Sequence, residues 1–373
     1  MKQSLLCLIA VAAAFVGLLA GCQKKEPNVT AGAAAKGTSS ENITVRLLSG
    51  VTGINDKSYN AAAWQGILAF YGNTAQQGSA YDIVVAQTLD MYTPVLRQVT
   101  GEGYDLIAAA GFDWADSMGL VAADNPRQKY MIVDSGWLSG NNILQAVYTE
   151  HEGSFLAGAA AALKAKEDGI TNPRFGFIGG IPDAVITRFE VGYVQGILSI
   201  IPNARIVDYY VGSWGEPALA KTRAKNWYDA GVYAIFSAAG NSGNGTIAQA
   251  REYRMAGKNV WAIGVDSDQY EEGIYDTNKS AVLTSMLKDV AGSLMYGLNA
   301  VKNNAFTGEV ITFNLAKGGV GYTATNPALS ASIIARLEEI KQKIISGEIA
   351  IAATNAEAQT LPGFPHDLKA IDN

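Results

Sequence analysis

Two α/β lobes, each a doubly wound parallel sheet with helices on both faces, are the fold this chain predicts, and three observations predict it. The chain has 373 residues, a length that fits two domains. From residue 43 onward, short apolar, β-rich runs ending in Gly, Asp or Ser alternate with helical patterns. The alternation restarts once, near residue 151, so two similar series follow one another. Strands that are apolar on both faces belong to parallel sheets covered on both sides, and a single open sheet holding all of them would be unusually wide.

The elements follow in order. Residues 44–49 (TVRLLS) read as a strand and 60–71 (NAAAWQGILAFY) as a helix. Residues 81–87 (YDIVVAQ), 104–109 (YDLIAA), 129–134 (KYMIVD) and 142–148 are further strands, with helices between the earlier ones, and 151–167 is an Ala-rich helix. The second series has strands at 174–178 (RFGFI), 205–211 (RIVDYYV), 232–237 (VYAIFS) and 260–265 (VWAIGV). Helices at about 183–200, 216–230 and 246–256 separate them. Strands at 281–286 (AVLTSM) and 310–315 (VITFNL), each followed by a helix (290–302 and 327–345), complete the lobes. The expected division places 43–150 plus 267–303 in the first lobe and 151–266 plus 304–373 in the second.

Composition narrows the function. Lys and Arg number 28 against 34 Asp and Glu, a net charge of −6 that argues against a nucleic-acid partner. The 49% hydrophobic content is enough for a large core and excludes wholesale disorder. Two His and two Cys leave few candidates for zinc, thiol or imidazole chemistry. Both cysteines lie in the first 22 residues. There Lys2 precedes an apolar run from Leu5 to Leu19, short for a membrane span and suited to the h-region of a signal peptide. The ending Leu19-Ala20-Gly21-Cys22 resembles a bacterial lipobox, so residues 1–21 are expected to be removed and Cys22 to carry lipid, palmitate included. Residues 22–42 read as a flexible tether. The expected location is the cell membrane, lipid-anchored, facing the periplasm or the cell exterior.

In open parallel sheets, ligands bind beyond the carboxyl ends of the strands. The segments there contain Asp56 to Asn60, Gly111-Phe112, Asp134-Ser135-Gly136, Gly212-Ser213-Trp214, Ala239-Gly240-Asn241, Asp266-Ser267-Asp268 and Lys288. This set combines carboxylates, rings and glycines, and it lacks a nucleophile with a base and an orienting group. His151 opens a helix and His366 lies near the C-terminus, so neither is placed as a general base. Asp266-Ser267-Asp268 alone is too small an acidic cluster for calcium. No metal or cofactor is expected. The loop Gly240–Gly245 differs from a phosphate-binding loop because no Lys follows Gly245.

Several stretches together resemble the basic membrane protein family, the substrate-binding lipoproteins of bacterial nucleoside ABC importers. Asn55-Asp56-Lys57-Ser58-Tyr59-Asn60 with Ala63-Trp64-Gln65-Gly66 is similar to the family's opening motif DxSFNxxxxxG. The resemblance continues through Gly111-Phe112, 152–158 (EGSFLAG), 176–180 (GFIGG), 211–214 (VGSW), 240–245 (GNSGNG), 264–269 (GVDSDQ) and 284–288 (TSMLK), in family order. It implies a type I periplasmic-binding-protein fold, with two lobes joined by three crossovers and one ligand between them. It further implies a nucleoside, purine before pyrimidine, whose base lies between two rings. By position Tyr59 and Trp214 match the rings, and Asp56, Asn60 and Asp134 match the groups that read the base. Asp266, Lys288 and the backbone near Gly240 match the ribose site, and Ser58 and Phe112 complete the set. The chain departs from the family in carrying Tyr59 and Trp214 where Phe is usual, and Ala238-Ala239-Gly240-Asn241 where Gly-Gly-Thr sequences are usual. The implied partners are the permease and ATPase subunits of an importer, with the protein itself a monomer.

Each residue also has a plainer reading. Asp56 and Ser58 equally suit helix caps, Asp134 a turn, and Asp266 with Lys288 a structural ion pair. The run of alanines at 154–166 reads as close helix packing. The rival function is a secreted nucleoside hydrolase on the same scaffold.

Overall fold

The computed structural model describes residues 43–72 and 77–369. The expected signal peptide 1–21, the Cys22 lipidation site and the tether 22–42 lie outside the described residues.

The first lobe begins as successive strand–helix units: β1 (Val45–Ser49), α1 (Tyr59–Phe70), β2 (Tyr81–Val85), α2 (Tyr92–Gly101), β3 (Leu106–Ala110), α3 (Ala115–Asp124), β4 (Tyr130–Val133) and β5 (Ile143–Tyr148). All five residues of β3, LIAAA, are buried, because helices lie on both of its faces. On one face, Tyr92 and Leu96 of α2 and Met118 of α3 pack against Leu48, Ile107 and Ile132. On the other, α1 buries Ala63, Trp64 and Ile67 in the main core.

The second lobe repeats the scheme with α4 (Glu150–Glu167), β6 (Arg174–Gly179), α5 (Ala184–Ile200), β7 (Arg205–Tyr210), α6 (Pro217–Asp229), β8 (Val232–Ala238), α7 (Asn244–Met255) and β9 (Trp261–Asp266). A small antiparallel hairpin, β10 (Ile274–Asp276) and β11 (Lys279–Ser280), precedes β12 (Val282–Lys288). Then come α8 (Val290–Lys302), β13 (Val310–Phe313), β14 (Val320–Tyr322), α9 (Ala331–Ile345) and α10 (Asn355–Ala358). The two six-stranded sheets have the orders β13-β5-β4-β3-β1-β2 and β14-β12-β9-β8-β6-β7. They match strand for strand, and only β14 pairs antiparallel within them, against β12. Each sheet reverses direction beside its first strand, β1 or β6, which is where a ligand crevice forms.

The chain passes between lobes three times, after β5, after β12 and after β13. This corrects the expected division of the C-terminal third. Strand β12 lies inside the second sheet, parallel to β9, so 267–288 belongs to the second lobe and not the first. Strand β13 is the edge of the first sheet, parallel to β5, so 304–313 belongs to the first lobe and not the second. The physical reason is visible in burial. Six of the seven β12 residues are buried, as a central strand requires, whereas β13 alternates exposed and half-buried positions, as an edge permits.

Helices α4 and α5 approach until backbone meets backbone. A Cβ added at Gly158 would stand 2.2 Å from the Tyr193 carbonyl oxygen, and one at Gly196 would stand 2.0 Å from that of Phe155. The alanines of α4, buried at 157 and from 159 to 162, serve this close approach.

A cleft between the lobes

The carboxyl ends of both sheets face a common cavity with about 700 Å³ of empty space, its open mouth included. Of the ten sequence candidates, Asp56, Tyr59, Asn60, Phe112, Asp134, Trp214, Gly240, Asp266 and Lys288 line it. The tenth, Ser58, is fully buried just behind, where its hydroxyl donates to Asp266 Oδ2 at 2.9 Å.

Asp56 borders the cavity yet is committed to the start of α1. Its carboxylate accepts from the amides of Ser58 (3.1 Å), Asn60 (2.7 Å) and Ala61 (3.0 Å), and from Asn60 Nδ2 (2.7 Å). Those four bonds use the acceptor positions of a carboxylate, so Asp56 orients Asn60 and has no lone pair left over for a base. Asn60 Oδ1 in turn accepts from the Ser49 hydroxyl at 2.8 Å.

Asp134 and Asp266 occupy equivalent places at the ends of β4 and β9, and both adopt left-handed backbone, with φ of 68° and 64°. Aspartate tolerates that conformation better than most residues, and the exposed Asn172, Asn278 and Asn304 share it, so it marks two matching turns after the strands. Lys288, at the end of β12, is 3% exposed. Its ammonium lies 2.6 Å from Asp134 Oδ1 and 3.0 Å from Glu150 Oε1. Glu150 Oε2 accepts from Arg188 Nε at 2.6 Å, which closes a chain of alternating charges. The structural ion pair is therefore Lys288 with Asp134 and Glu150, and not Lys288 with Asp266. The Lys288 ammonium also stands 4.7 Å from the Tyr148 ring centre and 5.4 Å from that of Tyr59.

Burial sets the titration of these groups. It raises Asp134 above the usual carboxylate value, with Lys288 opposing. It also pushes Asp266 up to about 7, because Lys288 and the Ser58 hydroxyl only partly offset the lost hydration. Burial alone would raise Glu150, but the charges of Arg188 and Lys288 outweigh it and lower the carboxyl. Lys288 is raised despite its burial by Asp134, Glu150 and Asp266. The Tyr59 hydroxyl, buried beside Asp134 without a well-aligned hydrogen bond, is held well above its ordinary value, first by burial and then by the Asp134 charge.

The loop after β7 brings Trp214 to the cavity. Its ring lies so close to Gly180 that a Cβ there would stand 2.0 Å from the indole. Its carbonyl accepts from the Ser242 amide at 2.9 Å, and the Ser242 hydroxyl bonds both Ser213 O and the Glu216 amide, each at 2.8 Å. The glycine-rich segment 240–245 thus anchors the Trp214 loop. Gly245 itself permits contact between α7 and α6, since a Cβ would lie 1.9 Å from Pro217 O. Across the cleft, Phe112 meets Trp214 edge to face at 6.0 Å. At the entrance to α1, second-lobe side chains hold first-lobe carbonyls: Asn244 Nδ2 on Asp56 O (3.0 Å), Gln269 Nε2 on Lys57 O (3.3 Å) and the Ser267 hydroxyl on Ser58 O (3.4 Å).

Sequence reasoning missed Glu150, Arg188, Phe189, Tyr92 and Asp113. Phe189, Tyr92 and Asp113 line the cavity, and Glu150 and Arg188 complete its charge network. Arg188 and Phe189 come from the first half of α5, away from any strand end. A signal was present, since Arg188 and Glu190 are the two charged residues of a mostly apolar helix, AVITRFEVGYVQGILSI. Neither His151 nor His366 lines the cavity. Among the described residues no group of three or more His, Cys, Asp and Glu is arranged to hold a metal, and no helix is long and apolar enough to cross a membrane.

A cleft of this construction has relatives. Residues 45–355 match the Bmp family, described as ABC transporter substrate-binding protein PnrA-like. An ABC transporter nucleoside-binding protein, BmpA, of Lactococcus lactis is 31% identical over 94% of this chain and 99% of its own. Basic membrane protein A of Borreliella burgdorferi is 29% identical over 82% and 86%. Among solved structures, an ABC transporter solute-binding protein from Aeropyrum pernix superposes with a TM-score of 0.74 at 25% identity, covering 85% of this chain and 96% of its own. An arabinose-binding protein from Geobacillus stearothermophilus shares the fold, with a TM-score of 0.53 at 13% identity over 78% of this chain and all of its own. With five-sixths of its length under one family model and a cleft between two matched lobes, the chain belongs to the Bmp family of PnrA-like ABC transporter substrate-binding proteins.

Proposed function

We propose that this substrate-binding protein is a lipid-anchored receptor that captures a nucleoside, a purine nucleoside by preference, and hands it to the membrane subunits of an ABC importer. The observation that carries the reading is the cavity, which joins aromatic faces to a buried network of carboxylates around Lys288 and Arg188 and offers no nucleophile with a base. The base lies between Tyr59 and Trp214, where stacking contributes roughly 1–3 kcal/mol whatever the base. Asp134, with one oxygen on Lys288, keeps a second to accept an N–H of the base edge, and Asn60, whose Nδ2 donates to Asp56 and Thr52, keeps an Oδ1 lone pair to accept another. The ribose hydroxyls face Asp266 and Lys288, with Gly240 allowing close backbone approach. Hydrogen bonds to charged groups contribute about 1.5–3 kcal/mol each, so a few of them with stacking reach micromolar affinity or better.

The name of the Lactococcus relative supports the nucleoside. The Leu19-Ala20-Gly21-Cys22 sequence supports lipid attachment outside the cytoplasm, with Cys22 as the acceptor. The hydrolase reading has no comparable support, since neither histidine reaches the cavity. Purified protein is incubated with an equimolar nucleoside mixture, washed and denatured, and the released species are identified by mass spectrometry. Retention of purine nucleosides unchanged supports the proposal. Release of free base and ribose would overturn it in favour of hydrolysis, and retention of none would overturn the nucleoside.

A further inference from the structure

Trp214 does more than present a ring. Its indole Nε1 donates to Asp113 Oδ2 at 2.9 Å, and the two residues belong to opposite lobes. Asp113 sits in a single 3-10 turn, Phe112–Trp114, directly after β3. That turn is rigid, because the adjacent Trp114 is fully buried and stacks on Tyr92 with ring centres 3.9 Å apart and planes 12° from parallel. On the second lobe, Gly180 beneath the ring and Ser242 behind the loop fix where Trp214 stands. The bond at Nε1 fixes the outer edge of the ring, and it exists only while the lobes are together.

We propose that Asp113 is a positioning residue and the Trp214–Asp113 bond a closure latch, so that the base platform is locked at its stacking angle by the same event that shuts the cleft. The ligand part of this inference rests on the nucleoside reading above; the latch itself is a bond between lobes. Both partners are half-buried, so in an open molecule each returns to water and neither is stranded. Loss of the bond therefore shifts the balance between open and closed forms without unfolding either. Apparent affinity follows the closed fraction, so the shift is read directly as weaker binding. A phenyl ring at 214 stacks on a base as an indole does but has no N–H to donate. In this chain, tryptophan thus supplies a bond that a phenylalanine at 214 could not.

The test compares wild type, Asp113→Ala, Asp113→Asn, Trp214→Phe and the double variant Asp113→Ala/Trp214→Phe, using guanosine titration and small-angle scattering with and without guanosine. Asp113→Ala and Trp214→Phe should each weaken guanosine binding about tenfold, and the double variant no more than either alone, since both remove one bond. Asp113→Asn, which keeps an oxygen acceptor, should recover most of the loss. Losses that multiply in the double variant, or an Asp113→Ala variant that binds as wild type does, overturn the latch. If wild type binds none of guanosine, inosine and adenosine, the nucleoside reading fails separately. Scattering of the protein alone then decides: a larger mean radius for Asp113→Ala than for wild type upholds the latch, and identical radii overturn it.

Discussion

Trp214 stands on a loop pinned by Ser242 and is only half-buried at the edge of the main core, so its removal should be felt by ligand more than by the fold. Trp214→Ala is expected to weaken nucleoside binding by about 1–3 kcal/mol through lost stacking, with the loss of the Asp113 bond adding to it, while the unfolding midpoint stays put. Calorimetry beside thermal unfolding checks both halves, and unchanged affinity would return Trp214 to a packing role. Asp266 gives the second residue-scale expectation. Its carboxyl, pushed to about 7 by burial, is largely protonated at pH 6 and ionised at pH 8. A ribose hydroxyl bonds the ionised form better, so affinity should rise with pH through about 7 and level off above it, with proton release on binding below that point. Titrations from pH 5.5 to 8.5 in two buffers of different ionisation enthalpy measure this, and a flat profile would remove Asp266 from the ribose site. Residues at strand ends were legible in the sequence because the topology dictates where such ends meet. Glu150 and Arg188 were not, since a charge on a helix reveals its partner only after the helix is placed. Asp56 was half legible: its capping pattern shows in the spacing, but the four bonds that exhaust it do not.

At the scale of elements, the contact of α4 with α5 makes a demand that only glycine meets. Gly158→Val places atoms where the Tyr193 carbonyl already stands, 2.2 Å from the first added carbon. Prising two packed helices apart costs about 1–3 kcal/mol or more. Chemical denaturation should show the unfolding free energy falling by that amount, and a variant as stable as wild type would mean the helices slide freely. The alternation of strands and helices was legible almost throughout, because strands covered on both faces are short apolar, β-rich runs bounded by turn residues. The lobe to which β12 and β13 belong was not. Local pattern marks β12 as a buried strand and β13 as an edge, but chain order alone does not say which sheet has the vacant position beside β9 or β5.

The whole molecule is two sheets facing one cavity, with Asn244, Gln269, Ser267 and Trp214 reaching from the second lobe to hold the first. A ligand touching both sides favours the closed form because only there are all of its contacts made. Charge then selects among ligands. Inside or just behind the cavity stand Asp56, Asp113, Asp134, Glu150 and Asp266 against Lys288 and Arg188, and both cations are already taken by carboxylates. A phosphate entering there meets no free guanidinium fork and must shed its hydration beside buried carboxylates, at a cost of several kcal/mol. Guanosine, inosine and adenosine titrated beside their own 5′-monophosphates put this to the most direct test. At least one nucleoside should bind at micromolar concentration or below and a hundredfold or more tighter than its monophosphate, since each 1.4 kcal/mol is a factor of ten. Equal binding of the two sets, or no binding of any nucleoside, would contradict the account.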